Sequence, residues 1–351
     1  MKMKSNLSQM IPYKPGVLKE GALKLSSNEN RLGPSPKAIE AILHGINNVN
    51  IYPDGTCRIL REALAEKLGY KRENIIVGNG SDELMTLIAA TYVSHGDNAI
   101  TAVSTFSEYT FATILFSGEI QKAEMTEGTF DPAKILALIN SNTKIIYFCN
   151  PNNPTGTYIN HNDLDDMLKK IPHDILFVLD EAYADYSDAL DFPDSKQLLE
   201  KYPNLMILRT FSKIYGLAGL RVGYGIAREE VLEEILVTKQ PFNVNTPAQI
   251  GATAALSDDD FYRRSREMNS IGKRFIYDEL DRLELKYYES QANFVCLYIG
   301  MDSKVLFQQM MDQGITIRPL TSFGLEQWIR VTVGTEEDNR LFIRILENTL
   351  K

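Results

Sequence analysis

The sequence predicts an α/β protein with two domains: a large one built on a doubly wound, mostly parallel sheet, and a smaller α+β domain. Between about residues 34 and 237, short apolar runs of strand character alternate with helical patterns, which is typical of such sheets. The segment 240–247 carries two prolines and interrupts the pattern. We therefore expect an N-terminal arm over residues 1–33, a large domain over 34–239 and a small domain over 240–351.

The individual elements follow from their apolar spacing and their flanking residues. The strands expected in the large domain are Ile75–Val77, Ala99–Ala102, Ile145–Cys149, Leu176–Leu179, Leu205–Leu208 and Val222–Ile226. In the small domain we expect a long charged helix at about 259–283, strands Phe294–Ile299, Ile315–Arg318 and Ile329–Val333, and helices near 303–313 and 336–350.

Composition excludes several classes of function. The chain has 37 basic and 46 acidic residues, a net charge of −9, which argues against general nucleic-acid binding. No segment approaches the ~20 apolar residues of a membrane span. The three cysteines form no paired motif, so we expect reduced thiols and a cytoplasmic location. The four histidines lie apart, without metal-ligand spacing.

The first candidate site is the segment Ile75-Ile-Val-Gly-Asn-Gly-Ser-Asp-Glu83, which reads as a strand, a glycine turn and a helix start. Gly80 would let the backbone approach a ligand, and Ser81 or Asp82 would begin the helix with free N–H groups, which suit a phosphate. Taken alone, the segment is better explained as a capped turn. It lacks the third glycine of the dinucleotide fingerprint and the Gly-Lys-Ser/Thr of a P-loop.

Two further candidates stand where buried strands end. Asn150-Pro-Asn-Asn-Pro-Thr-Gly156 forms a rigid turn after one strand, and the next strand ends at Asp180, with Tyr183 three residues later. Ligands bind at this edge of parallel sheets. A carboxylate there is costly without a partner, and a protonated pyridine ring would be one. Helix capping by Asp180 and packing by Tyr183 are the simpler alternatives for each residue alone.

The last candidate is Arg209-Thr-Phe-Ser-Lys213, followed by glycines and by Arg221. Thr210, Ser212 and Arg221 could hold a phosphate beside the Lys213 amine, which could bind an aldehyde as an imine. The ordered set of a phosphate turn, ring donors, a buried aspartate and this lysine indicates pyridoxal 5′-phosphate (PLP).

With these motifs the chain resembles the fold-type I PLP-dependent aminotransferases along essentially its whole length. Within them it is most similar to the histidinol-phosphate aminotransferase family. The narrower resemblance is carried by Pro12-Tyr-Lys-Pro-Gly16, Leu25-Ser-Ser-Asn-Glu-Asn-Arg-Leu-Gly-Pro-Ser-Pro36, Tyr52-Pro-Asp54, Gly314-Ile-Thr-Ile-Arg-Pro319, Gly324-Leu325 and Ile329-Arg-Val-Thr-Val-Gly-Thr335.

The resemblance implies a role for each matching residue. Lys213 matches the Schiff-base lysine that also moves the substrate proton. Asp180 matches the partner of the pyridine nitrogen, and Asn153 and Tyr183 match donors to the ring O3′. Phe106 matches the aromatic residue stacked on the ring. The phosphate cradle would consist of Gly80, Ser81, Asp82, Thr210, Ser212 and Arg221.

Other matches concern the substrate and a second subunit. Arg318 and Arg330 match arginines that bind substrate anions, and Tyr13 and Asn28 match substrate contacts from the N-terminal arm. Tyr52 matches a residue that reaches the active site of the other subunit, where it contacts cofactor phosphate and substrate. The resemblance therefore implies a homodimer with shared active sites.

The implied reaction converts L-histidinol phosphate and 2-oxoglutarate to imidazole acetol phosphate and L-glutamate, in histidine biosynthesis. Two departures bear on it: Arg31 replaces the proline usual in the family and adds a charge near the substrate segment, and Phe106 replaces a frequent tyrosine. A broader aromatic amino-acid aminotransferase and a PLP-dependent decarboxylase of a phosphorylated amino acid remain alternatives. A regulatory domain without turnover is a further alternative, disfavoured by the short segment before Pro34.

Overall fold

The structure is a computed structural model that describes residues 3–10, 12 and 19–351. Its helices are α1 Pro36–Gly45, α2 Arg58–Leu68, α3 Ser81–Tyr92, α4 Glu108–Leu115, α5 Pro132–Ala137, α6 His161–Leu168, α7 Ser195–Lys201, α8 Glu229–Leu236, α9 Thr246–Ala255, α10 Asp259–Arg282, α11 Ser303–Asp312 and α12 Glu336–Leu350.

Its strands are β1 Leu23–Lys24, β2 Ile75–Gly78, β3 Asn98–Ala102, β4 Glu119–Ala123, β5 Thr143–Cys149, β6 Leu176–Asp180, β7 Leu205–Thr210, β8 Gly223–Ile226, β9 Tyr287–Tyr288, β10 Phe294–Tyr298, β11 Ile315–Thr316, β12 Arg318–Pro319 and β13 Trp328–Thr332. Short 3₁₀ turns join several of these elements.

The large sheet has seven strands in the order β2-β8-β7-β6-β5-β3-β4. Strands β7, β6, β5, β3 and β4 are parallel, and β8 is antiparallel to both of its neighbours. Strands β5 to β7 are almost entirely buried, as expected for parallel strands covered by helices on both faces. The predicted α/β class with a mostly parallel sheet is confirmed.

The second sheet has four antiparallel strands in the order β12-β13-β10-β9. A separate apolar core packs between this sheet and the helices α10, α11 and α12, and it includes Leu25 of the N-terminal arm. The predicted strand Ile315–Arg318 is wrong as one element. Residues 315–316 pair with β1, whereas 318–319 pair with β13, so the two halves belong to different sheets.

The predicted boundary at residues 239/240 stays a prediction, but side-chain packing shows which core the two helices after it join. Ala248, Ala252 and Ala255 of α9 belong to the core of the large sheet. In α10, the first buried residue that belongs to the core of the small domain is Ile276.

Asp258 ties the start of α10 to that of α1. One of its carboxylate oxygens accepts the Ser35 hydroxyl at 2.6 Å, and the other accepts the Phe261 N–H at 3.4 Å. Since Ser35 itself caps α1 through the Ala38 N–H, the two helices begin at one shared polar cluster.

Within the ranges that the structure describes, no helix has both the length and the apolar character needed to cross a bilayer.

Candidate active site

A cavity of about 430 Å³ opens at the carboxyl ends of the parallel strands, between the two sheets. It brings together thirteen of the residues singled out in the sequence: Asn28, Ser81, Asp82, Phe106, Asn153, Asp180, Tyr183, Thr210, Ser212, Lys213, Arg221, Arg318 and Arg330. Ser26 and Arg330, which are 304 positions apart, thus line one cavity. The strand-end argument predicts this convergence for its part of the set.

Asp180 supplies a buried negative group at the floor of the cavity. It ends β6, next to Cys149 of β5, and is 2% exposed. One carboxylate oxygen accepts the Ala182 N–H at 3.0 Å and the other accepts the Tyr109 hydroxyl at 2.6 Å. Burial raises the pKa of Asp180 to about 6, against those two hydrogen bonds, which lower it. No cation within the described ranges pairs with this carboxylate, so it can accept a positively charged ligand group.

Lys213 follows β7 in a turn that lines the same cavity as Asp180. Its ammonium lies 3.4 Å from the Ser27 carbonyl oxygen and 5.3 Å from the centre of the Tyr183 ring. In the part of the chain described, no carboxylate forms an ion pair with Lys213. The amine is therefore held by weak contacts that a covalent partner could replace.

An anion-binding corner forms where α3 begins. Gly80 has a φ of +83°, and no side chain caps the helix, so the first N–H groups of α3 point at the cavity. Gly223 permits this corner, since a Cβ there would lie 2.5 Å from the Ser81 nitrogen.

Polar side chains complete the same corner. The Arg221 guanidinium lies 2.9 Å from an Asp82 carboxylate oxygen and 3.4 Å from the Ser212 hydroxyl. The Ser212 N–H donates to the Thr210 hydroxyl at 3.1 Å. Backbone donors, hydroxyls and a guanidinium form the set that suits a phosphate group.

Arg330 is a buried positive group on the opposite wall. It is 6% exposed and has no carboxylate partner among the described residues. Its guanidinium donates to the Asn153 side-chain oxygen and to the Ser26 carbonyl at 2.9 Å, and lies 5.2 Å from the centre of the Phe294 ring. Burial lowers the pKa of Arg330 to about 10, which leaves it charged at neutral pH.

Arg330 also has capacity for a ligand. Its Nε is buried without a hydrogen-bond partner among the described residues. Arg318 is directly opposite it in the β12–β13 pairing, and both side chains line the cavity. Two neighbouring arginines that have no carboxylate partner among the described residues form a receptor for a doubly charged group.

The N-terminal arm closes the cavity from the side of the small domain. The Asn28 side chain donates to the Tyr183 hydroxyl at 3.0 Å, and its backbone N–H donates to the Thr332 hydroxyl at 2.9 Å. Asn28 itself has a positive φ of 58°, which asparagine tolerates better than most residues.

Some predicted site residues lie elsewhere. The Tyr52 side chain is 81% exposed, stacks on Phe242 with the ring centres 4.8 Å apart, and does not line this cavity. Tyr13 lies outside the described residues.

Arg31 does not place its charge at the substrate segment, contrary to expectation. It forms an ion pair with Asp338 at 2.8 and 3.2 Å and does not line the cavity. The Asp338 carboxylate, which is held in the capping box at the start of α12, neutralises the Arg31 charge.

One residue of the site was missed in the sequence. Tyr109 is fully buried, contacts Asp180 through its hydroxyl and packs edge-on against Phe106, with ring centres 5.8 Å apart. Its position three residues after Phe106 was the available signal, but an aromatic residue at a helix start usually predicts packing only.

Comparisons with known proteins agree with this geometry. The family model for class I and II aminotransferases matches residues 20–346. A histidinol-phosphate aminotransferase from Moorella thermoacetica is 44% identical over 359 residues, which cover 99% of this chain and 93% of that protein. One from Geobacillus sp. strain WCH70 is 41% identical over 360 residues, which cover 100% of this chain and 99% of that protein.

A solved structure shows the same fold. The histidinol-phosphate aminotransferase from Sinorhizobium meliloti in complex with pyridoxal 5′-phosphate superposes with a TM-score of 0.92, covering 99% of this chain and 97% of that one at 24% identity. The fold-type I assignment made from the motifs is confirmed.

The buried Asp180 carboxylate predicts a measurable cost to the cofactor-free protein. Its pKa of about 6 lies above the ordinary value of about 3.9, so ionisation opposes folding above pH 6, and this penalty disappears below about pH 4. Without cofactor, Asp180→Asn should therefore be more stable than the wild type by up to about 3 kcal/mol at pH 8. The advantage should shrink as the pH falls towards 4.

Urea unfolding of the two cofactor-free proteins between pH 4 and pH 8 measures the difference. A wild type that is the more stable protein at pH 8 would contradict the assigned electrostatics of the site.

Proposed function

Because the chain belongs to the class I and II aminotransferases, and within them to the histidinol-phosphate aminotransferase family, we propose that it transfers the amino group of L-histidinol phosphate to 2-oxoglutarate. The products are imidazole acetol phosphate and L-glutamate, and the reaction serves histidine biosynthesis. The observation that carries this proposal is the pair Arg318 and Arg330, of which Arg330 is buried and has no carboxylate partner among the residues that the structure describes.

Pyridoxal 5′-phosphate fits the cavity group by group. Its phosphate suits the corner formed by the start of α3, Ser212 and Arg221, and its pyridine nitrogen suits the carboxylate of Asp180. Its aldehyde carbon would meet the Lys213 amine. When bound, PLP supplies the electron sink that stabilises negative charge at the substrate Cα.

The protein residues around the ring have separate tasks in this proposal. Asp180 keeps a proton on the pyridine nitrogen, while Asn153 and Tyr183 donate to the ring O3′. Phe106 covers one ring face by stacking. The Lys213 amine would take the proton from the substrate Cα and deliver it to C4′ of the cofactor.

The two arginines orient both substrates. Arginine binds carboxylates and phosphates through paired N–H donors, so Arg330 can hold the phosphate of histidinol phosphate in one half-reaction and a carboxylate of glutamate in the other. Binding either anion gives the buried guanidinium the negative partner that it lacks within the described ranges.

Two other activities use much of the same site. A broader aromatic amino-acid aminotransferase would need no phosphate recognition, and a decarboxylase of a phosphorylated amino acid would release CO₂ instead of forming a keto compound. In the sequence, an extra positive charge from Arg31 near the substrate segment favoured the broader aromatic enzyme. The ion pair between Arg31 and Asp338 removes that support.

The proposal is tested one half-reaction at a time. The purified PLP-bound protein is mixed separately with histidinol phosphate, phenylalanine, glutamate and a phosphorylated amino acid, and the visible absorption of the cofactor is followed. Histidinol phosphate and glutamate should convert the cofactor fastest, with no CO₂ released. Faster conversion by phenylalanine at equal concentration would favour the aromatic enzyme, and CO₂ from the phosphorylated amino acid would favour the decarboxylase.

Loss of Arg330 should weaken both half-reactions, because both substrates are anions. A hydrogen bond to a charged group contributes ~1.5–3 kcal/mol, so Arg330→Ala should lower kcat/KM at least about tenfold for each substrate. It should also reduce discrimination between histidinol phosphate and uncharged histidinol. Single-turnover kinetics measure both effects.

Arg340→Ala serves as the matched control, since Arg340 is an exposed arginine outside the cavity that pairs with Glu336 of its own helix and lies over the Phe275 ring. Arg330→Lys, which keeps the charge and loses the paired donors, should fall between the wild type and Arg330→Ala. An unchanged kcat/KM for histidinol phosphate in Arg330→Ala would contradict the assigned role.

We propose further that the enzyme is a homodimer whose active sites each receive Tyr52 from the other subunit. Ten exposed apolar side chains support this: Ile39, Leu43, Ile46, Val49, Ile51, Tyr52, Ile59, Leu236, Val237 and Phe242. The two segments that carry them are adjacent, because Tyr52 stacks on Phe242 and Lys239 donates to the Gly55 carbonyl at 2.9 Å. An apolar surface of this kind suits a second copy of the chain.

Mixing two inactive variants tests the shared site. In a hybrid of Lys213→Ala with Tyr52→Ala subunits, one site would have its own Lys213 and an intact Tyr52 from the neighbour, so activity should partly return. A hybrid of Lys213→Ala with Asp180→Asn is the control, because each of its sites keeps a defect in its own cavity. Equal recovery in both mixtures, or none despite confirmed subunit exchange, would refute a shared site.

The cytoplasm is the proposed location. Cys57, Cys149 and Cys296 are all buried free thiols, which suits a reducing compartment.

A further inference from the structure

The hydroxyl group of Tyr109 makes the one side-chain hydrogen bond to Asp180 within the described ranges, at 2.6 Å. We infer that Tyr109 is a positioning residue of the reaction, which keeps the Asp180 carboxylate charged and aimed at the pyridine nitrogen. The inference rests on the proposed function, because it assigns a second residue to the same cofactor contact.

The hydrogen bonds of Asp180 hold its carboxylate in one orientation. Each carboxylate oxygen has a single protein donor, the Ala182 N–H on one and the Tyr109 hydroxyl on the other. A carboxylate oxygen can accept about two hydrogen bonds, so each keeps capacity on the side that lines the cavity. Without Tyr109, one oxygen would have no protein donor and the carboxylate could rotate about its bond to Cβ.

Tyr109 itself is held firmly. It is fully buried at the start of α4, its ring stacks on that of Tyr147 with centres 5.0 Å apart, and it meets Phe106 edge-on. The same side chain therefore supports both the carboxylate at the ring nitrogen and the aromatic residue proposed to cover the ring. Packing on both sides prevents the hydroxyl from swinging away.

The charges around Asp180 make a neutral donor valuable. Burial raises its pKa, and the carboxylates of Asp82 and Glu181 raise it further. Cys149 faces it from β5, and burial raises the pKa of that thiol, so it stays neutral. Burial also raises the pKa of Tyr109 well above its ordinary value, so its hydroxyl remains protonated and donates to the carboxylate, which lowers the pKa of Asp180.

The test compares Tyr109→Phe with Tyr147→Phe. Tyr147 is the matched control, because it is an equally buried tyrosine in the same stack whose hydroxyl has no hydrogen-bond partner among the described residues. The first measurement is the affinity for PLP, without substrate, across pH 5 to 9. The second is the ¹⁵N chemical shift of the pyridine nitrogen in protein reconstituted with ¹⁵N-labelled PLP.

PLP binding should weaken below a certain pH, and in Tyr109→Phe this midpoint should move upwards by about one unit. Below the midpoint, the variant should therefore bind PLP about tenfold more weakly than the wild type. The ¹⁵N signal should move towards the value of unprotonated pyridine, because the carboxylate then competes better for the shared proton. Tyr147→Phe should match the wild type in both. A uniform loss of affinity without movement of the midpoint or of the ¹⁵N signal would reduce Tyr109 to a packing role and overturn the inference.

A second substitution keeps the test decisive if Tyr109→Phe does not fold. Incorporating 3-fluorotyrosine at position 109 retains the shape and makes the hydroxyl a stronger donor, so the midpoint should move downwards, and an unmoved midpoint would overturn the inference. A wild-type protein that binds no PLP would instead overturn the proposed function itself, which distinguishes the two failures.

Discussion

Two buried charges that lack counter-charges in the described part of the chain determine how this site is organised. Asp180 is a buried anion at the end of β6, and Arg330 is a buried cation on β13, each held by hydrogen bonds to neutral groups. Removing a charge from water costs several kcal/mol unless a partner compensates it. The fold carries both costs on opposite walls of one cavity, so it favours ligands that bring a cation to one wall and an anion to the other. A protonated pyridine ring and a phosphorylated or carboxylated substrate meet that requirement together.

The sheet topology explains why the remaining groups converge on these charges. Parallel strands end at one edge, which brings together the residues that follow β5, β6 and β7. Strand β8 runs antiparallel between β2 and β7, and its first residue, Gly223, packs against the start of α3. The bare N–H groups of that helix are thereby placed beside the turn that carries Lys213. The anion corner thus depends on one antiparallel strand within a largely parallel sheet.

Where the signal is local, sequence reasoning predicted which residues line the same cavity. Asp180, Lys213 and the Gly80 turn stand at the ends of apolar strands, and strand ends converge for a topological reason. Arg318 and Arg330 carried no such signal and were found only through family resemblance. Partners distant in the chain were not predictable: Arg31 meets Asp338 across 307 residues, and Tyr109 meets Asp180 across 71. Likewise, the pattern of Ile315–Arg318 could not reveal that its two halves pair in different sheets.

Asn153 connects the arginine side of the site with the side proposed to hold the cofactor ring. A guanidinium has only donors, so the Arg330 contact fixes which end of the Asn153 amide faces it: the oxygen. The amide nitrogen must then point the other way, as a donor, which is the polarity that the ring O3′ requires. In the proposed reaction, an anion bound by Arg330 would compete for the same guanidinium and alter the hydrogen bond that orients this donor. Asn153 would then link recognition of the substrate anion to the cofactor ring, and a substrate without an anion would leave the hydrogen bond between Asn153 and Arg330 unchanged.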